Sequence, residues 1–307
     1  MTPFALATLF RPGWGMISGL PRIAIAMTAA EYLVAVDTFR TVFGMHVNDM
    51  SDRTVPDLGA HVGMCQPLGG SNVELMAPSD PDAPLSMALN RFLNRRGTGL
   101  YALMLEAATP NVEADELALR GVNVLPAMAG ATGRDVHPNS THGVLMRVYP
   151  TGSVHQPDEP AVAAPHLSGI VRVIVATDDA SVAAKAYEHG LGLDVTHAEP
   201  DTERGVLVAH AIAPRAAETG AAETGSAGNG SAVIELVSPL DESRPFAGAI
   251  ASHLRDKGQG MAALVLSADA PVRAAELLAE RGLASDLHGP FGPEVTAFGT
   301  RFVIAAS

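Results

Sequence analysis

PRIAIAM, residues 21–27, and GIVRVIVAT, residues 169–177, are two strand-like runs that each carry an arginine near the start. Read with a period of two, Arg22 shares a face with Ala24 and Ala26, while Ile23, Ile25 and Met27 take the other. A guanidinium that can scarcely be deprotonated is costly in a segment fit for burial, so it needs a partner. Its recurrence at Arg172, 150 positions on, marks an internal repeat.

The segments after the two runs repeat as well. Residues 28–45 carry Tyr32, Leu33, Val36, Phe39, Val42 and Phe43 at helical spacing, with Gly44 as the stop. Residues 178–193 do the same with Val182, Ala186 and Tyr187, closing at Gly190 and Gly192. Strand-like stretches come next: 60–68 and NVELMAP (72–78) in the first copy, 205–214 and AVIELVSPL (232–240) in the second. These put Glu74 and Glu235 in register. A second unit type alternates with the first. GLYALMLEA (99–107) leads to a helical stretch at 111–124, and GMAALVLSA (260–268) leads to one at 270–284, with Ala102 and Ala263 161 apart. The offset grows by 11 across a low-complexity insertion near 213–232, read as a mobile loop between strands. The order is β-α-β-β-β, four times over. We divide the chain into an N-terminal extension (1–18), a first domain (19–150), a Pro-rich linker (151–166) and a second domain (167–307).

Composition sets outer limits. With 47% hydrophobic and 17% charged residues in 307, the chain has the makings of two packed domains. A net charge of −13 argues against nucleic acid or an anionic membrane as partner, and any anionic ligand would need local positive charge. One cysteine, Cys65, excludes an internal disulfide and suits a reducing compartment; we read it as a core residue. Without a basic leader or a long apolar run, the expected location is cytoplasmic, as a monomer or homodimer.

Four such units in two pairs resemble the vicinal oxygen chelate superfamily of glyoxalases, bleomycin-resistance proteins, epimerases and extradiol dioxygenases. In the first half, HPNSTHGVLMRV (137–148) and NVELMAP followed by a short helix and GTGLYALMLEA (97–107) are similar to methylmalonyl-CoA epimerase. The resemblance implies an α+β fold with two domains built on curved mixed sheets. It also implies a divalent metal held by His, Gln or Glu, His and Glu. Carried over, those positions are Arg22, Glu74, Ala102 and Arg147 in the first domain, and Arg172, Glu235, Ala263 and Val303 in the second. Neither set supplies three or four N/O ligands, so the expectation is no metal and no cofactor.

The leading reading is therefore an isomerase or lyase acting without metal on a small, largely apolar carbonyl or carboxylate compound. Arg22 and Arg147 would hold the oxyanion or carboxylate and Glu74 would move the proton. Arg147 counts here as a surplus positive charge, whereas Arg172 and Glu235 balance as a pair. His61, Met76, Met104, Arg172 and Glu235 complete the candidate ligand contacts, and His210 is a weaker one. His137 and His142 read as loop residues on a proline turn. Three alternatives stay open: buried ion pairs that only fill the vacated sites, a ligand-sequestering protein of the bleomycin-resistance type, and a metal enzyme with unexpected ligands such as His61 or His210.

Overall fold

The computed structural model describes residues 17–51, 59–153, 167–213 and 232–307. Nearly all of the stretches read as the N-terminal extension, the linker and the insertion lie outside the described residues.

The first sheet has seven strands: β1 (Ile17–Ala26), β2 (His46–Asp49), β3 (Ala60–Gln66), β4 (Asn72–Pro78), β5 (Gly99–Ala107), β6 (Arg134–Val136) and β7 (Leu145–Pro150). Their order is β2-β3-β4-β1-β5-β7-β6, so the two first strands, β1 and β5, meet antiparallel at the centre. The second sheet repeats this with β8 (Ile170–Ala176), β9 (Asp194–Val195), β10 (Glu199–Asp201), β11 (Val206–Ile212), β12 (Val233–Pro239), β13 (Gly260–Ala268), β14 (Ala284–Gly289), β15 (Gly292–Ala297) and β16 (Thr300–Ala306). Its order is β10-β11-β12-β8-β13-β16-β15-β14, with β9 beside β11. The second unit of the first domain has only two full strands after its helix, with a single bridge at Val124–Val136 in place of the third.

Six helices, α1 (Ala29–Thr41), α2 (Pro84–Arg96), α3 (Pro110–Leu119), α4 (Ala180–Lys185), α5 (Pro245–Lys257) and α6 (Pro271–Glu280), fill out the two halves. Four of them open on proline, which has no N–H to lose in the first turn and a φ already set for helix. These prolines fall in pairs, 84 with 245 and 110 with 271, each at the 161-residue offset. Helix α4 is capped by Asp179 and runs on into one wide turn over Ala186–Gly190.

Two kinds of core result from strand alternation. On one face of each sheet Ile23, Ile25, Leu103 and Leu105, and likewise Val173, Val175, Leu264 and Leu266, join helices α1, α3, α4 and α6 in one continuous core shared by both domains. Phe39 of α1 and Phe43, two residues beyond its end, pack on Phe302 of β16, with ring centroids at 6.0 and 5.1 Å. In return the Tyr187 hydroxyl donates to the Thr141 carbonyl at 3.0 Å. Cys65 is buried in this core. The opposite face of each sheet is a cup closed by one helix. Leu85 and Leu89 of α2 cover Ala24, Ala26, Met76, Ala102 and Met104. Phe246, Ala247 and Ile250 of α5 cover Ile174, Ala176, Val237 and Ala263. Where the halves meet, backbone approaches backbone: a Cβ on Gly169 would overlap the Gly69 carbonyl oxygen.

Candidate functional site

Two rows of side chains cross the floor of the first cup. One runs through Asn72, Arg22, Met104, Arg147 and Asp135, the next through Met64, Glu74, Ala24, Ala102 and Leu145. Strand alternation thus brings Arg22, Glu74, Arg147, Met76 and Met104 to one face, as the sequence indicated.

Arg22 and Glu74 are each 5% exposed. The Arg22 Nε lies 2.8 Å from Glu74 Oε2, and its Nη1 donates to the Ser153 hydroxyl at 3.2 Å. Ser153 is held by Glu106, whose Oε1 accepts from its backbone N–H at 2.9 Å and its hydroxyl at 2.8 Å. The Tyr149 ring is flanked by two guanidiniums, with Arg22 4.3 Å and Arg147 5.3 Å from its centroid. Burial opposes the charge on Arg22, but Glu74 and Tyr149 outweigh it and hold that guanidinium above its usual value. Burial and the Glu74 charge push the Tyr149 hydroxyl up.

Arg147 is not a surplus charge. Its Nη1 donates to both oxygens of Asp135, at 2.9 and 3.0 Å, and its Nε and Nη2 clamp the Thr132 carbonyl at 3.2 and 2.9 Å. The physical reason is β6, which carries Asp135 into register opposite Arg147. Burial pushes the Asp135 carboxyl up against the pull of Arg147. His61 is also misplaced by the sequence reading. It belongs with Gly63 and Cys65 on the other face of β3, where its ring stacks on Tyr32 of α1 at 5.3 Å. His210 does face a cup, in register with Glu235.

Asn72 is the residue that sequence reasoning passed over. It is fully buried beside Arg22, and neither its Nδ2 nor its Oδ1 has a hydrogen-bond partner. Arg22 Nε and Glu74 Oε2, next to it, partner each other in the buried ion pair. Asn72 Nδ2 and Oδ1 are therefore two buried polar atoms without partners beside that ion pair. The second domain has Val233 in the place of Asn72, opposite Arg172.

The second cup is differently balanced. Glu235 is fully buried and takes Arg172 on Oε2 at 2.9 Å and Arg204 on Oε1. Arg204 also pairs with Asp201 at 2.6 Å and stacks over Phe246 at 4.7 Å. The Arg172–Glu235 pair is as the sequence indicated, but Arg204 enters from the turn after β10, where no periodicity announces it. Val303 occupies the place of Arg147, and Glu294 that of Asp135. Glu294 instead meets Arg301 at 3.1 Å.

A metal ion does not fit either cup. At the four carried-over positions the first cup offers Glu74 beside two guanidiniums and a methyl group, with Asp135 committed to Arg147. The second offers Glu235, held by Arg172 and Arg204, beside Ala263 and Val303. Among the described residues no group of three or more His, Cys, Asp or Glu side chains converges. Among the same residues no helix is long and apolar enough to cross a membrane.

No protein-family model matches the sequence, and no curated protein does. Among solved structures, a triple mutant of 4-hydroxymandelate synthase from Streptomyces coelicolor superposes with a TM-score of 0.56 at 16% identity, covering 88% of this chain and 77% of that one. A xylose isomerase-like TIM barrel/4-hydroxyphenylpyruvate dioxygenase fusion protein gives 0.58 at 14%, over 92% of this chain and 41% of that one. Methylmalonyl-CoA epimerase from Mycobacterium tuberculosis gives 0.37 at 22%, over 46% of this chain and 94% of that one. The chain has the fold of the vicinal oxygen chelate superfamily, with two curved mixed sheets.

Proposed function

We propose that the first cup binds a small carbonyl or carboxylate compound and acts on it as an isomerase or lyase without a metal. The observation that carries this reading is the pair of unpartnered buried amide atoms, Asn72 Nδ2 and Asn72 Oδ1, beside the buried Arg22–Glu74 ion pair. Each costs about 1–3 kcal/mol if left alone, so a ligand that supplies the missing partners gains correspondingly. Asn72 Nδ2 donates to a ligand oxygen and Asn72 Oδ1 accepts from a hydroxyl or enol, while a ligand oxygen that draws Arg22 Nε away from Glu74 frees the carboxylate. Glu74 takes the proton from the carbon next to the carbonyl. The electron pair passes onto the carbonyl oxygen, where the guanidinium receives the developing charge. Return of the proton gives the isomer; departure of a group from the next carbon gives the lyase product. Ala24 and Ala102 put only methyl groups on the floor, beside Met76 and Met104, whose flexible side chains can repack around a ligand. Arg147, committed to Asp135 and Thr132, acts as a positioning residue that fixes Tyr149 against Arg22.

A second reading, ligand binding without turnover, is favoured by the 2.8 Å Arg22–Glu74 contact, which engages the base in the ligand-free protein. The two separate in D2O. Incubated with a panel of small 2-oxo and 3-oxo acids and followed by proton NMR, the wild type exchanges the hydrogen next to the carbonyl of its substrate. Glu74→Gln binds the same compound but exchanges it at least a hundredfold more slowly. Stoichiometric binding with no exchange, or full exchange by the Glu74→Gln variant, overturns the catalytic proposal.

A further inference from the structure

At the seam between the two halves lies a cavity of about 400 Å³ lined by Arg96, Pro138, Asn139, His142, Gly143 and Gln259. Arg96 ends α2, the Pro138–Gly143 turn precedes β7, and Gln259 opens β13 of the other half. The proposed reaction uses none of them. No carboxylate lines this space. The Arg96 guanidinium makes no ion pair and no hydrogen bond among the described residues, and its partial burial together with the adjacent Arg95 lowers it below its usual value. The surrounding field is positive as well. His253 of α5 is held down to about 4, by burial first and then by Lys257, Arg96 and Arg301, with Asp256 pulling weakly the other way.

The rim is built. His142 has a left-handed backbone, φ 51°, and its Nδ1 meets Gln259 Oε1 at 2.9 Å. The Asp178 N–H donates to the same oxygen at 3.3 Å. A Cβ on Gly143 would overlap the Gln259 carbonyl, so turn and strand end are in direct contact. With Gln259 Oε1 thus engaged, the side-chain amide nitrogens of Gln259 and Asn139 remain, alongside Arg96, as donors without partners among the described residues. Three donors and no acceptor of negative charge define a preference.

We infer that this seam is a second ligand site, separate from the first cup, which binds the phosphate or carboxylate group of a small anion on Arg96, Asn139 and Gln259. Because the donors come from both halves, a bound anion ties them together and stabilises the seam.

Isothermal titration of the full chain with inorganic phosphate, and separately with acetate, at fixed ionic strength, tests this. The expected result is saturable one-site binding of at least one of the two, and which one binds names the group. Arg96→Met is expected to weaken it at least tenfold and Asn139→Ala several-fold. Glu74→Gln leaves it unchanged, which separates this site from the first cup. Arg96 is exposed, so Arg96→Met keeps the wild-type melting temperature without ligand. Absence of saturable binding by either anion, equal affinity in Arg96→Met, or loss of binding in Glu74→Gln overturns the inference.

Discussion

Replacing Arg22 by Met leaves Glu74 buried with its cation gone, and the cost can be worked from the cup. Arg22 and Glu74 have side chains only 6% exposed, so water cannot take over the guanidinium's role without rearrangement. The variant can escape by letting the carboxylate take up a proton. From an ordinary glutamate value near 4.3, that costs about 1.4 kcal/mol per pH unit, or about 3.7 kcal/mol at pH 7 and about 1 kcal/mol at pH 5. The lost Tyr149 and Ser153 contacts add about 1–2 kcal/mol at either pH. In the variant the folded state binds its proton more tightly than the unfolded chain. Its deficit is therefore small below the unfolded value and grows as pH rises. Urea unfolding at pH 5 and pH 7 is expected to show R22M less stable than wild type by about 5 kcal/mol at pH 7 and by about half that at pH 5. The double variant R22M/E74L, which removes the stranded carboxylate, is expected to regain most of the loss at pH 7. A pH-independent deficit in R22M, or a double variant whose loss equals the sum of the single ones, would refute the reasoning.

Asn72→Leu removes two unpartnered amide atoms while keeping the number of side-chain heavy atoms, so stability is expected to rise by about 1–3 kcal/mol, with a higher melting temperature, while binding in the first cup is lost. Gly169→Ala pushes a methyl group into the Gly69 carbonyl at the seam; urea unfolding is expected to show a loss of about 3 kcal/mol or more, since backbone on both sides must move. His253→Phe, which copies Phe92 at the matching position, replaces a half-buried ring whose Nε2 has no partner. With His253 held near 4, wild-type stability falls as pH drops from about 6.5 toward 4, because only the unfolded chain takes up that proton; melting curves over this range should be flatter in the variant. Dialysis against a chelator is expected to leave both melting temperature and any proton exchange unchanged, because neither cup has the donors for a metal.

Much of this architecture was readable because it is periodic. Arg22 and Arg172, Glu74 and Glu235, and Ala102 and Ala263 recur at matched spacing, and a period of two assigns each to its face. The same rule, applied strictly along β3, puts His61 with Gly63 and Cys65, away from Met64 and the cup. The features that stayed hidden came from elements without a pattern of their own. Asp135 reaches Arg147 on a three-residue strand next to a glycine-rich loop, too short to show alternation. Arg204 arrives from a turn and is held by Glu235, Asp201 and the Phe246 ring, none of which shares a periodic pattern with it. Asn72 is a different case: its strand and face were plain, but a missing hydrogen bond is a property of the packed state, invisible until every neighbour is placed. The cavity at Arg96 depends on how the two halves meet, which no single repeat encodes.

A crystal structure of the Glu74→Gln variant grown with the compound that the wild type exchanges would test the central claim most directly. The account predicts a carbonyl or carboxylate oxygen within hydrogen-bond distance of Arg22 Nε and Asn72 Nδ2, with the reacting carbon facing residue 74. A metal ion on the floor of that cup, or the ligand bound elsewhere with Asn72 still unpartnered, would contradict it.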